Sequence, residues 1–243
     1  MKRHVVLQIG AVVGSLWLAA TAFAQLGDKI VIDGKFDDWA DIPVAIEDPK
    51  DMSDKNVHGD YKEIKLASTE KTFYVLQTVY GEAAPADPFR YYYHILIDAD
   101  ANVDTGIKND VYEDVPTGVK DVIGADFYIQ IGRRAGANDG IAVVHIESQQ
   151  EIFLDFPWAN GGDSMELAVD WSVLVPPAGF ELGPIFRKGD TIRVAAFQEG
   201  NADGWGPIDW TEPAEHVIAT PLSVDPAGKL AATWGALKSA HRR

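Results

Sequence analysis

Along the chain, short apolar runs alternate with turn-forming residues. Ile64 to Ala67 and Phe73 to Tyr80 alternate in polarity and are rich in β-branched and aromatic side chains, the pattern of strands with one buried face. Tyr91 to Ile97 is almost continuously apolar and aromatic, which predicts a strand covered on both faces. Phe127 to Ile131 and Ile141 to Ile146 flank Asn138-Asp139-Gly140, a signal for a hairpin that turns there. Further strands are predicted at Lys29 to Ile32, leading into a turn at Asp33-Gly34, and at Ile152 to Phe156, Met165 to Val169, Thr191 to Phe197 and His216 to Ala219. Trp171 to Leu174 reads as one helical turn. Leu230 to Ala240 reads as a terminal helix or a last strand, with Gly235 opposing a long helix. About ten strands without an amphipathic helix predict an all-β fold, an antiparallel β-sandwich of immunoglobulin or jelly-roll kind.

The first residues follow a different pattern. Lys2 and Arg3 precede an apolar stretch from Val5 to Ala20, and Ala22-Phe23-Ala24 is a small-x-small cleavage site. Residues 1–24 therefore read as a signal peptide, 25–222 as one β-sandwich domain and 223–243 as a C-terminal tail. The expected destination is export, to the periplasm or the extracellular space, with no membrane span after cleavage. There is no cysteine, so no disulfide braces the loops, and packing or a metal must do so. The formal charge of −16 disfavours nucleic acid, which needs a basic footprint; beyond Arg133-Arg134, Lys and Arg cluster only at the C-terminus. The same excess of carboxylate suits divalent cations.

That excess is concentrated in Asp98-Ala99-Asp100-Ala101-Asn102-Val103-Asp104-Thr105-Gly106, directly after a predicted strand. Oxygen-bearing side chains fall at every second position, and the glycine allows a sharp turn. From Asp98 to Asp126 acids outnumber bases eight to two, with only Lys108 and Lys120 in opposition. Such clustering is costly by like-charge repulsion unless a cation relieves it. Asp and Asn also favour turns for their own backbone hydrogen bonding. The density and spacing here point instead to calcium, which takes six to eight hard oxygen ligands. The expected ligands are Asp98, Asp100, Asn102 and Asp104, with Asp126 returning to the loop at the start of the next strand. The frame is not an EF-hand, because the glycine is misplaced and no closing Glu follows.

With these pieces in hand, the chain resembles the family 9 carbohydrate-binding modules. Ile32-Asp33-Gly34-Lys35-Phe36-Asp37-Asp38-Trp39 is similar to the family's opening element, and Ile64 to Tyr80 to its second block. Ile97 to Gly106 resembles its acidic loop, Glu166-Leu167-Ala168-Val169-Asp170-Trp171 a later strand, and Arg193 to Asn201 the penultimate one. The resemblance implies a calcium-bearing β-sandwich that binds carbohydrate. It also implies a pair of aromatic rings clamping a terminal sugar. The first clamp position falls at Asp87-Pro88-Phe89-Arg90; the second falls near His216, beyond Trp205 and Trp210.

A pyranose packs its C–H face on an exposed ring, so aromatics on loops are the candidate ligand contacts. Phe89, Trp205 and Trp210 are the expected binding residues, with Trp158 a further candidate, whereas Trp39 and Trp171 follow apolar strand patterns and are expected to pack. Tyr91, Tyr92 and Tyr93 alternate faces, which predicts at least one exposed ring. No HxH or HExxH spacing, no GxSxG and no cysteine nucleophile appears, so no enzyme is expected. Two functions follow: a calcium-stabilised carbohydrate-binding module, or a structural and assembly module of an envelope or extracellular complex. Oligomeric state leaves no signature in the sequence.

Overall fold

The computed structural model describes residues 30–106, 123–148, 150–175, 186–200 and 209–218. Twelve strands are present among them: β1 (Val44–Glu47), β2 (Tyr61–Ser68), β3 (Thr72–Val79), β4 (Arg90–Asp98), β5 (Phe127–Arg134), β6 (Ala137–His145), β7 (Gln150–Phe153), β8 (Trp158–Gly161), β9 (Ser164–Asp170), β10 (Thr191–Glu199), β11 (Asp209–Trp210) and β12 (Ala214–Val217). They form two antiparallel sheets, one ordered β1-β2-β3-β9-β8 and the other β11-β10-β4-β5-β6-β7, with β12 also paired to β10. Helical structure is limited, among the described residues, to 3-10 turns at Asp37–Trp39 and Trp171–Val173. The second is the turn expected from Trp171 to Leu174. No helix among these residues is long and apolar enough to cross a membrane.

Period-two alternation explains why the sheets stack. Odd-numbered residues of β4 and β5, such as Tyr93, Ile95, Ile97, Phe127 and Ile129, face the other sheet and pack on Phe73, Val75, Leu167 and Val169. The opposite face of the larger sheet is apolar at its centre too. Leu96, Tyr128, Ala142, Val144, Ala195 and Phe197 form a second buried cluster there. β4 is thus buried on both faces, as its near-continuous apolar run predicts. The Trp39 and Trp171 side chains are buried, also as expected.

The segment Ile30–Ile32 pairs with no strand. Ile30 packs with Trp39, Ile42 and Leu76 on the outer face of the five-stranded sheet. Its backbone is satisfied by side chains instead: Val31 N donates to Asp38 Oδ2 at 2.7 Å, and Asp33 N and Gly34 N donate to Glu166 Oε1 at 2.8 and 2.7 Å. The Trp39 indole donates to the other oxygen, Glu166 Oε2, at 2.8 Å. One buried carboxylate of β9 therefore anchors the stretch 33–39 before β1.

The β5–β6 hairpin turns at Ala135-Gly136, earlier than Asn138-Asp139-Gly140. Ala135 (φ 49°) and Gly136 (φ 76°) are both left-handed, the backbone of a tight two-residue turn. Asn138-Asp139-Gly140 lies within β6, where the register shifts between Ile131 and Arg133. The turn-forming residues there mark a bulge, not a reversal. Three short strands, β1, β8 and β11, have no counterpart in the sequence pattern.

Candidate metal and ligand sites

β4 ends at Asp98, and Asp126 stands immediately before β5, its antiparallel neighbour. Asp126 N donates to Ile97 O at 2.8 Å, and Ala99 N donates to Asp126 Oδ2 at 2.8 Å, which locks the two segments side by side. The loop after β4 winds on its own side chains. Asp100 accepts from Thr105 Oγ1 at 2.9 Å and from Asn102 N at 3.0 Å, and Asn102 Oδ1 accepts from Asp104 N at 3.1 Å. The loop then closes against the start of β5. A Cβ on Gly106 would lie 2.3 Å from Gly124 O, and one on Gly124 would lie 2.3 Å from Thr105 O, so neither position admits a side chain.

This winding brings one carboxylate oxygen each of Asp98, Asp100 and Asp126 within 4.8 Å of one another. Asp98 and Asp126 are buried and Asp100 is exposed, so the group opens to solvent on one side. The cation nearest Asp98 is Arg193, whose Nη1 stands 3.7 Å from Asp98 Oδ2, a long contact for an ion pair. Burial raises the carboxyl of Asp98, with the charge of Asp100 adding to it, and burial lifts Asp126 to about 6. Clustered, partly desolvated carboxylates of this kind can hold a metal ion, and an all-oxygen set favours a hard one. Of the five expected ligands, three come together. The Asn102 side chain serves the loop's own turn, and Asp104 is exposed outside the trio.

The aromatic candidates are dispersed. Phe89, just before β4, is 39% exposed. Next to it, Arg90 Nε pairs with Asp139 Oδ2 at 3.2 Å, and Tyr92 Oη donates to the same oxygen at 2.8 Å. Tyr92 is the partly exposed ring of the tyrosine triplet, with Tyr91 and Tyr93 buried. Trp210 is half-buried and packs on the outer cluster of the larger sheet. It pairs with Phe197, which pairs with His94, so Trp210 and Phe89 stand about 16 Å apart along the strand direction. These two rings do not face one another across a single sugar. Trp158 is half-buried against the inner core with the Arg133 guanidinium 5.1 Å from its ring centre. Trp205 lies outside the described residues. His216, near the second clamp position of the resemblance, is buried and bonded to Ser68 Oγ at 2.9 Å.

No protein-family model, curated protein or solved structure matches this chain. A second acidic group, Asp48, Asp51 and Asp209, also has one oxygen from each residue within 4.8 Å of the others. The sequence does not announce it, because its members come from distant segments with no alternating-acid loop.

Proposed function

We propose that this chain is an exported, non-catalytic β-sandwich binding module, braced by calcium at Asp98, Asp100 and Asp126 and directed at carbohydrate. The observation that carries the calcium half is the convergence of those three carboxylates, two of them buried, where β4 hands over to β5. Arg193 alone does not balance them, and a divalent ion does. Calcium in about hundredfold excess over its dissociation constant adds about 2.7 kcal/mol of stability. Melting should therefore shift upward in calcium relative to chelator, with Asp100→Ala removing this site's part of the shift. Identical melting curves for the native chain would exclude the ion.

The carbohydrate half rests on Phe89, an exposed ring flanked by Arg90, Tyr92 and Asp139, which supply the polar contacts a sugar's hydroxyls need. Titration with a panel of glycans, followed by tryptophan fluorescence and calorimetry, tests it. Binding that Phe89→Ala, Trp205→Ala or Trp210→Ala weakens supports the reading. Absence of binding to every glycan would favour the assembly module, for which the half-buried packing of Trp210 speaks.

A further inference from the structure

Asp60, immediately before β2, is fully buried, and neither carboxylate oxygen accepts a well-formed hydrogen bond. The N–H groups of Asp51 and Met52 lean toward it and offset part of the burial that raises its pKa, so the carboxyl faces the loop after β1. That loop carries Asp48 and Asp51, and Asp209 of β11 meets them from the opposite sheet. Asp48 Oδ2 is likewise buried without a hydrogen-bond partner. Its backbone is pinned on both sides, Asp48 N to Lys62 O at 3.0 Å and Tyr80 Oη to Asp48 O at 3.0 Å. Asp209 is held by Tyr61 N at 2.6 Å and Trp210 N at 2.9 Å, one donor to each oxygen, which leaves lone pairs on both.

Positive charge is scarce there. Lys50, the nearby cation, places its ammonium on Asp54 at 2.8 Å, and its charge reaches Asp60 only as the smallest of the influences on that carboxyl. Burial, together with the charges of Asp51, Asp60 and Glu212, pushes Asp48 up to about 7. Burial and the charges of Asp48 and Asp51 do the same to Asp209. Buried carboxylates without partners either take up protons or hold a cation.

We propose that Asp48, Asp51 and Asp209, with Asp60 as the fourth carboxylate facing them, form a second site for a hard divalent cation of the calcium type. The donor set is oxygen throughout, and its mixture of buried and exposed carboxylates suits an ion that tolerates irregular geometry and water ligands. The ion would join β1 and β2 of one sheet to β11 of the other. Along that edge the sheets are already tied by Tyr61 Oη to Phe197 O at 3.2 Å and Ser68 Oγ to His216 Nε2 at 2.9 Å.

The test uses the chain carrying Asp100→Asn, so that the β4–β5 cluster is disabled and its failure is separable from this one. Terbium luminescence, sensitised by the nearby Tyr61 and Tyr80, and calorimetry with calcium alone should still report one ion. Asp51→Asn, an exposed replacement that leaves the fold intact, should weaken it by about tenfold or more. Asp60→Asn should raise the melting temperature in chelator, by removing a buried charge, and shrink the rise that calcium brings. Unchanged affinity in Asp51→Asn, or an Asp60→Asn gain equal with and without calcium, would overturn the proposal.

Discussion

Glu166 illustrates how much one buried carboxylate can organise. Its two oxygens accept from two backbone N–H groups and one indole, all brought from more than a hundred residues away. Removing such an acceptor leaves one buried and two partly buried donors unpaired, the buried one alone worth about 1–3 kcal/mol. Glu166→Ala should therefore cost about 3 kcal/mol or more in urea unfolding and expose Trp39 to quenchers. His94 acts differently. Gln130 Nε2 donates to Gly140 O at 3.3 Å, which turns Gln130 Oε1 toward His94 Nε2 at 3.0 Å and calls for the neutral, Nε2-protonated ring. Burial lowers His94 to about 4 and His216 also to about 4. A histidine that binds protons less readily when folded gives stability that is present above its unfolded pKa of about 6.5 and lost as pH falls toward 4. His94→Gln should shrink the loss of stability between pH 7 and pH 5, by an amount on the order of 1–2 kcal/mol. An unchanged difference would place the acid sensitivity elsewhere.

At the scale of elements, the β5–β6 hairpin is the clearest test of local physics. Gly136 is left-handed at φ 76°, and an added Cβ would meet the Ala86 Cβ at 3.1 Å. Gly136→Ala should cost about 1–2 kcal/mol, read as a lower urea midpoint at constant slope. Ala135, left-handed at φ 49°, already bears this strain, and Ala135→Gly should be neutral or mildly stabilising. The turn was misplaced from sequence because Asn138-Asp139-Gly140 satisfies a hairpin and a bulge equally well. Only the pairing of Arg134 with Ala137 decides between them. β4 was legible because burial on both faces leaves a continuous apolar run. β11, two residues long, is an edge strand whose partner alone defines it.

For the whole molecule, the acidic sites and the sheet edges belong to one problem. The chain has no cysteine and a charge of −16, so its loops are held by hydrogen bonds and packing, and calcium would add to both. If both cation sites fill, chelation should lower the melting temperature more in the native chain than in either Asp100→Asn or Asp51→Asn. The double variant should be insensitive to chelator. Equal sensitivity of the native chain and the double variant would show that neither site braces the fold.

The division between sequence and tertiary structure follows from range. Side-chain periodicity and spacing within about ten residues are local, and they determined the all-β class, the two-sided burial of β4 and the acidic loop from Asp98 to Gly106. Asp126 was foreseeable because the next strand in order is the usual antiparallel neighbour. The rest depended on which distant segments come into contact. Glu166 beneath Asp33 and Gly34 is produced by the segment before β1 lying over the outer face of the five-stranded sheet, and Asp60 facing Asp48 and Asp51 with Asp209 opposite by the edge alignment of the two sheets. Desolvation, which gives those carboxylates their chemistry, is a property of the packed molecule and has no counterpart in an isolated stretch of chain.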